Sequence, residues 1–230
     1  MEYDRVLSEF PGGGSRLLSD HSGVEGLQRK AMAAKYLDLT FTDAVCRAQA
    51  EYYGRVGKVV DVPERDSLSQ AEAEYIAARD SFYLGSISES GWPYIQHRGG
   101  PQGFLRVINE TTLAFADYKG NRQLLTTGNV SVNDRVALFL MDYKNRARLK
   151  ILGHARVEDA RAHPELVAQL ADPKMQSVVE RLVFIDVVSF DWNCPKHITP
   201  RYSEEDVEEY VGPLKKRIAE LEAQLHTVKS

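Results

Sequence analysis

The sequence predicts a mainly β (α+β) fold, a six-stranded antiparallel barrel with a helical N-terminal extension and a C-terminal helix. Three observations predict it. Between positions 82 and 190, short apolar runs alternate with turn residues. Consecutive runs lie close enough in sequence to form hairpins. Helix-period patterns are confined to the two ends and a few short connectors.

Residues 1–68 read as an extension. It contains a flexible break, Pro11-Gly12-Gly13-Gly14-Ser15, followed by an Ala-rich, helix-compatible stretch over 28–53. Ser69 followed by Glu72 is a capping-box pattern: the hydroxyl accepts from an early helical N–H and the carboxylate reaches back. A helix is therefore expected to run to about Arg79. Strands follow at 82–88 and 93–98 around the turn Glu89-Ser90-Gly91, then at 104–108 and 112–116 around Asn109-Glu110. A short helix is expected near 122–127. Strands at 135–141 and 146–157 flank the polar turn Asp142-Tyr143-Lys144-Asn145, a connecting helix covers 163–170, and a buried strand covers 181–190. The barrel is assigned to 69–202 and the last helix to 203–230, with Ser203 and Asp206 at its start.

Period-two reading of 146–157 puts Arg146, Arg148 and Lys150 on one face and Ala147, Leu149 and Ile151 on the other. Such a cationic face is either a solvated face that discourages edge pairing or an anion-binding wall. In the last helix, Leu214, Ile218, Leu221 and Leu225 follow a heptad-like spacing. Fewer than two heptads cannot sustain a coiled coil alone, so this stripe packs on its own barrel or on a partner subunit.

Composition removes several function classes. The 230 residues are 43% hydrophobic and 27% charged, within the soluble globular range. A formal charge of −4 gives no general attraction to nucleic acid or anionic lipid, so any cationic site must be local. The two cysteines, Cys46 and Cys194, make neither a disulfide framework nor a zinc motif and fit a reducing compartment. The expected location is cytoplasmic, with no export signal, no membrane insertion and no metal. There is no Gly-x-Ser-x-Gly elbow, His-Glu-x-x-His helix or P-loop pattern.

Three clusters carry candidate chemistry. In the first, Gln96-His97-Arg98-Gly99-Gly100-Pro101 ends a strand; its glycines serve either a tight bend or the close approach of a planar ligand. In the second, Asp117-Tyr118-Lys119-Gly120-Asn121-Arg122-Gln123 leads into a helix, either as a solvated turn capped by Asn121 or as a phosphate cradle. The third runs from Trp192 through Lys196 and His197 to Arg201. There Trp192 is either a core-edge anchor or a ligand-packing ring, with His197 and Arg201 facing anionic groups.

The order of these clusters resembles the pyridoxamine 5'-phosphate oxidase-like flavin proteins, and their wording is closest to a predicted flavin-nucleotide-binding subgroup. The resemblance covers roughly 81–201 and implies a split barrel, FMN as cofactor, and a homodimer with the flavin at the subunit interface. Gly91-x-Pro93-Tyr94 and the strand after it look like the family's first flavin strand. The run Phe115-Ala116-Asp117 through Arg122-Gln123 resembles its phosphate element, and 146–153 its flavin-contacting strand. The resemblance implies FMN contacts from Gln96, His97, Arg98, Gly99, Ala116, Asp117, Asn121, Arg122, Gln123, Arg148, Lys150, Trp192 and Arg201. Arg122 matches the phosphate-binding Arg. Gln96 takes the place of an Arg, Gln123 of a Lys and Arg148 of a Gln. Pro101 stands where the oxidase has a Lys, and Lys196-His197 loosely resembles its Arg-x-His clamp, so these three are the implied substrate contacts.

The function implied is an FMN-dependent oxidoreductase acting on an unidentified small molecule or electron donor. The other readings are a flavin-binding module without turnover, such as a sensor or store, and a haem protein using His97, His154 or His197 as axial ligand. Arg98, Arg122, Arg148, Lys150 and Arg201 are expected to converge on one FMN.

Overall fold

The computed structural model describes residues 34–57, 59–192 and 196–228; the break at 11–15 and Cys194 lie outside them. The Ala-rich stretch forms two helices, α1 (Ala34–Thr40) and α2 (Asp43–Tyr53). They are separated where the Thr42 side chain accepts from the Val45 N–H and starts the second. α1 packs against the last strand of the sheet, whereas α2 has no buried residue. The capping box forms as expected at α3 (Gln70–Ala77): Ser69 Oγ accepts from Ala71 N–H at 3.2 Å, and Glu72 accepts from Ser69 N–H at 3.0 Å.

The strands are β1 (Ser81–Ile87), β2 (Pro93–Gly99), β3 (Arg106–Asn109), β4 (Thr112–Tyr118), β5 (Arg135–Asp142), β6 (Ala147–Asp159) and β7 (Val179–Trp192). All neighbours are antiparallel, in the order β2-β1-β5-β6-β7-β4-β3. The architecture is a split barrel. It has seven strands rather than six, because each strand-compatible stretch forms one, including the four-residue β3 that pairs only with β4.

Three helices complete it: α4 (Leu125–Val132), α5 (Pro164–Leu170) and α6 (Glu204–Val228). α4 starts later than the expected 122–127. Arg122 and Leu124 adopt left-handed backbone, φ 61° and 56°, which no helix interior accepts. Its sequence is poor in helix formers, so buried Thr126 and Val130 hold it by packing. Arg146 is likewise not in β6. It sits with φ 54° in the hairpin turn, where Asp142 accepts from the Asn145 backbone and side-chain N–H groups.

Alternation along the strands fills the barrel. Phe82 and Leu84, Leu138 and Leu140, Leu149 and Ile151, and Ile185 and Val187 all point inward, and Ile76 of α3 plugs the core. β4 and β7 also bury their other face, where Ala114, Ala116, Leu182 and Phe184 meet Leu170 of α5. That double burial is why β7 reads as an almost continuous apolar run.

Candidate functional site

β2 separates two concave regions, because period two sends neighbouring side chains to opposite faces. Tyr94, Gln96 and Arg98 line a cavity of about 200 Å³ together with Asp117, Asn121, Arg122, Gln123 and Arg181. Ile95 instead lines an open groove of about 650 Å³, with Tyr83, Phe139, Arg148, Lys150, His197 and Arg201 among its walls. Within this chain the five expected cations therefore divide: Arg98 and Arg122 face the cavity, and Arg148, Lys150 and Arg201 face the groove.

The cavity lies where the two ends of the sheet come together. Arg98 of the edge strand β2 donates to Asp117 Oδ1 at 2.6 Å, and Arg181 Nε of β7 donates to Asp117 Oδ2 at 2.9 Å. The Arg98 guanidinium lies 5.7 Å from the Phe115 ring centre, and its buried Nε has no hydrogen-bond partner among the described residues. Gln96 Oε1 accepts from Thr126 Oγ1 at 2.9 Å, tying β2 to the first turn of α4. Asn121 Oδ1 accepts from Gln123 N–H and its Nδ2 donates to Gln123 Oε1, so this pair shapes the loop; the helix cap expected of Asn121 is absent. Leu124 occupies the cap position without a side-chain acceptor, so no side-chain cap meets the early N–H groups of α4 beside the cavity. Arg122 has no hydrogen-bond or ion-pair partner among the described residues.

A second concavity, of about 900 Å³, lies across the wall formed by Arg122 and Arg181. Its guanidiniums are mostly neutralised within the chain: Arg156 by Glu158 at 3.0 Å, Arg161 by Asp159, and Arg181 by Asp117 and Glu180. The Arg161 contacts hold the Asp159 carboxyl down to about 2.

The groove is aromatic and cationic. Lys150 Nζ lies 2.7 Å from Asp191 and 4.6 Å from the Tyr36 ring centre, so α1 of the extension supplies one wall. Arg148 stacks 5.8 Å from Phe139, and Arg201 4.5 Å from Tyr143. The outer face of β6 is thus a cavity wall with paired charges.

Other expected contacts lie apart from both regions. Trp192 is the core-edge anchor of its two readings: its Nε1 donates to Glu72 at 2.7 Å and its ring meets Tyr75 edge-on at 4.6 Å. The Ala116 side chain belongs to the core beneath α5. His97 is exposed against Tyr83, and His154 pairs with Asp134 at 2.9 Å. Gly99 ends β2 and Pro101 sits in the following turn. There a Cβ on Gly100 would lie 2.7 Å from Phe104, and one on Gly103, at φ 74°, would lie 3.0 Å from the Ala77 carbonyl oxygen, so these glycines serve a tight bend. Lys196 is exposed at the start of the segment leading to the groove. Among the described residues no cluster of His, Cys, Asp and Glu is arranged to hold a metal, and no helix is long and apolar enough to cross a membrane.

Arg181, Tyr94 and Thr126 are cavity residues that the sequence reading did not select. The signal for Arg181 was its strand register opposite Asp117, which appears only once β4 and β7 are paired.

No curated protein matches the sequence. Among solved structures, the chain is similar to an FMN-binding protein from Syntrophomonas wolfei, at 11% identity over 75% of this chain and 98% of that one, with a TM-score of 0.40. It is similar to a conserved hypothetical protein from Mycobacterium tuberculosis, at 15% identity over 61% and 94%, TM-score 0.43. A third is a Clostridium acetobutylicum protein related to general stress protein 26 of B. subtilis, of the pyridoxinephosphate oxidase family, at 12% identity over 58% and 92%, TM-score 0.39. Residues 68–184, half of the chain, match the pyridoxamine 5'-phosphate oxidase family directly. With the strand that bears Arg98, the loop that bears Arg122 and most of the sheet that joins them inside that span, the chain belongs to the pyridoxamine 5'-phosphate oxidase family.

Proposed function

We propose that this protein binds FMN and works as an FMN-dependent oxidoreductase on a small molecule. One observation carries the reading. Arg122, a guanidinium with no partner among the described residues, is held in left-handed backbone beside the Arg98 Nε, likewise without a partner among them, and the start of α4, which has no side-chain cap. Non-glycine residues at positive φ cost about 1–3 kcal/mol and persist where the site uses them. A phosphate monoester fits this donor set: Arg122 offers paired N–H groups and α4 offers backbone N–H groups at the positive end of its dipole.

When bound, FMN supplies a ring that accepts a hydride or electron pair. The chain supplies binding and electrostatics: Arg122, with Asn121 and Gln123, holds the phosphate, while Arg148, Lys150 and Arg201 line an aromatic groove suited to a flat anionic ring. Since cavity and groove open on opposite faces of β2, one FMN reaching both sets is best served by a homodimer, the phosphate cavity of one protomer facing the groove of the other.

The test is FMN titration of the protein and of Arg122→Ala, read by flavin fluorescence. Arg122→Ala is expected to weaken binding about 10–100-fold, the loss of a charged hydrogen-bond pair. Unchanged affinity overturns the phosphate assignment. Anaerobic reduction of the loaded protein by NADH, NADPH or pyridoxamine phosphate tests turnover, and failure of every donor favours a binding module instead.

A further inference from the structure

We infer that α6 forms a parallel two-stranded coiled coil with α6 of a second copy of this chain. The helix runs 25 residues, and none of its described side chains is buried. Val207 is 49% exposed, Leu214 60%, Ile218 56% and Leu221 42%, and Val211 is half-buried. Together with Leu225 in the sequence these residues recur at four-three-four-three-four spacing, which extends the stripe by a heptad before Leu214. A helix this long does not keep such a face in water without a partner. Its own barrel does not cover the stripe; the helix is anchored at its first turn, where Lys144 pairs with Asp206 and Ser203 and Asp206 cap each other.

The spacing assigns Val211, Ile218 and Leu225 to a positions and Val207, Leu214 and Leu221 to d positions. The two central heptad layers, Val211 and Ile218 at a with Leu214 and Leu221 at d, carry the β-branched and leucine pattern that favours two parallel strands. Charge selects the same arrangement. In a parallel pair, g residues face e residues of the next heptad on the partner helix. Tyr210 then faces Lys215, and Arg217 faces Glu222, with no like-charge contact. In the antiparallel alignment that keeps the whole stripe paired, Lys215 faces Lys215, Arg217 faces Arg217 and Glu208 faces Glu222 across the seam, each repulsive. Within one helix Lys215 reaches Glu208 at 2.8 Å and Arg217 reaches Glu220 at 3.1 Å, contacts that leave Glu222 available to a partner. Pro213 falls at a c position, away from the seam, where its missing N–H disturbs no interhelical contact. Fewer than three heptads are marginal in isolation, so the pairing depends on the barrels being held together.

Disulfide trapping tests this on the full chain with Cys46→Ser and Cys194→Ser introduced first. Leu221→Cys is expected to convert the majority of the chain to a species of twice the mass on a non-reducing gel after mild oxidation, while Lys216→Cys, at an outer f position, leaves it single. Antiparallel pairing separates the two Leu221 positions by roughly 15 Å along the axis, beyond disulfide reach. It would instead link Val211→Cys to Leu221→Cys in mixed samples. That result overturns the parallel arrangement, and no crosslink from any variant overturns self-pairing. Neither outcome depends on bound flavin, and the reading of Arg122 stands or falls separately.

Discussion

Arg98 and Asp117 meet at 2.6 Å although their strands are not neighbours in the sheet. β2 is one edge of the open order and β4 lies next to the other, so this ion pair spans the split that backbone hydrogen bonds leave open. Arg181 takes the second carboxylate oxygen, and all three side chains are largely withdrawn from water. Asp117→Ala leaves Arg98 without its carboxylate and Arg181 with Glu180 alone, and is expected to cost about 3–5 kcal/mol, measured by chemical denaturation. A loss below 1 kcal/mol would mean that solvent reaches the pair freely.

Asp66 is buried in the segment before α3 and accepts from the Phe190 N–H at 3.2 Å. Burial pushes its carboxyl up from 3.8 to about 6, against the pull of that hydrogen bond and of Lys35. Between pH 4 and 6 the folded state therefore binds more protons than the unfolded chain. Stability falls as pH rises through that window, and the full penalty, roughly 3 kcal/mol for two pH units, is present above it. Asp66→Asn keeps an acceptor for Phe190. It is expected to gain about 1–3 kcal/mol at pH 7 and to flatten the profile between pH 4 and 6, checked by denaturation at several pH values.

Two glycines separate packing from propensity. A Cβ on Gly153 would lie 2.6 Å from the Asp186 carbonyl oxygen and 2.9 Å from Ile185 Cγ2, at the bulge where β6 crosses β7. Gly153→Ala is expected to destabilise by about 1–3 kcal/mol. Gly128, inside α4, has open space around it. Gly128→Ala is expected to stabilise by about 0.5–1 kcal/mol. Thermal melts of both variants read the opposite signs.

Lys150 and Arg148 share one face of β6, but Asp191 already balances Lys150 at 2.7 Å. On the FMN-loaded protein, Lys150→Gln is expected to lower the reduction potential less than it does in the Asp191→Asn background. The scale is roughly 30 mV for each 1.4 kcal/mol of lost stabilisation of the reduced ring. Potentiometric titration in both backgrounds decides it, and equal shifts would show that Asp191 does not screen Lys150.

Much of the fold was legible because its signals are local. Ser69 and Glu72 lie three residues apart and cap the same helix turn, and the alternation through 82–88 or 135–141 records one wet face and one dry one. The start of α4 was not legible, since the left-handed turns at Arg122 and Leu124 leave no mark in residue type. Nor was Trp192, whose hydrogen-bond partner Glu72 lies 120 residues away in sequence. The C-terminal helix was legible from Ser203 onward, but its stripe was read only from Leu214, because whether the barrel covers Val207 and Val211 is a matter of packing and not of spacing.

By itself the sequence determined the antiparallel barrel, its capped helices and the supply of cations near Arg98, Arg122, Arg148 and Arg201. These follow from period, turn chemistry and charge, all encoded within a few residues. Only the tertiary structure decided how those cations are shared out. Period two turns Gln96 and Arg98 one way and Ile95 the other, and the pairing of β4 with β7 brings Arg181 to Asp117. Which groups face one ligand thus depends on strand register across the sheet, a relationship between residues too far apart in the chain for local pattern to record.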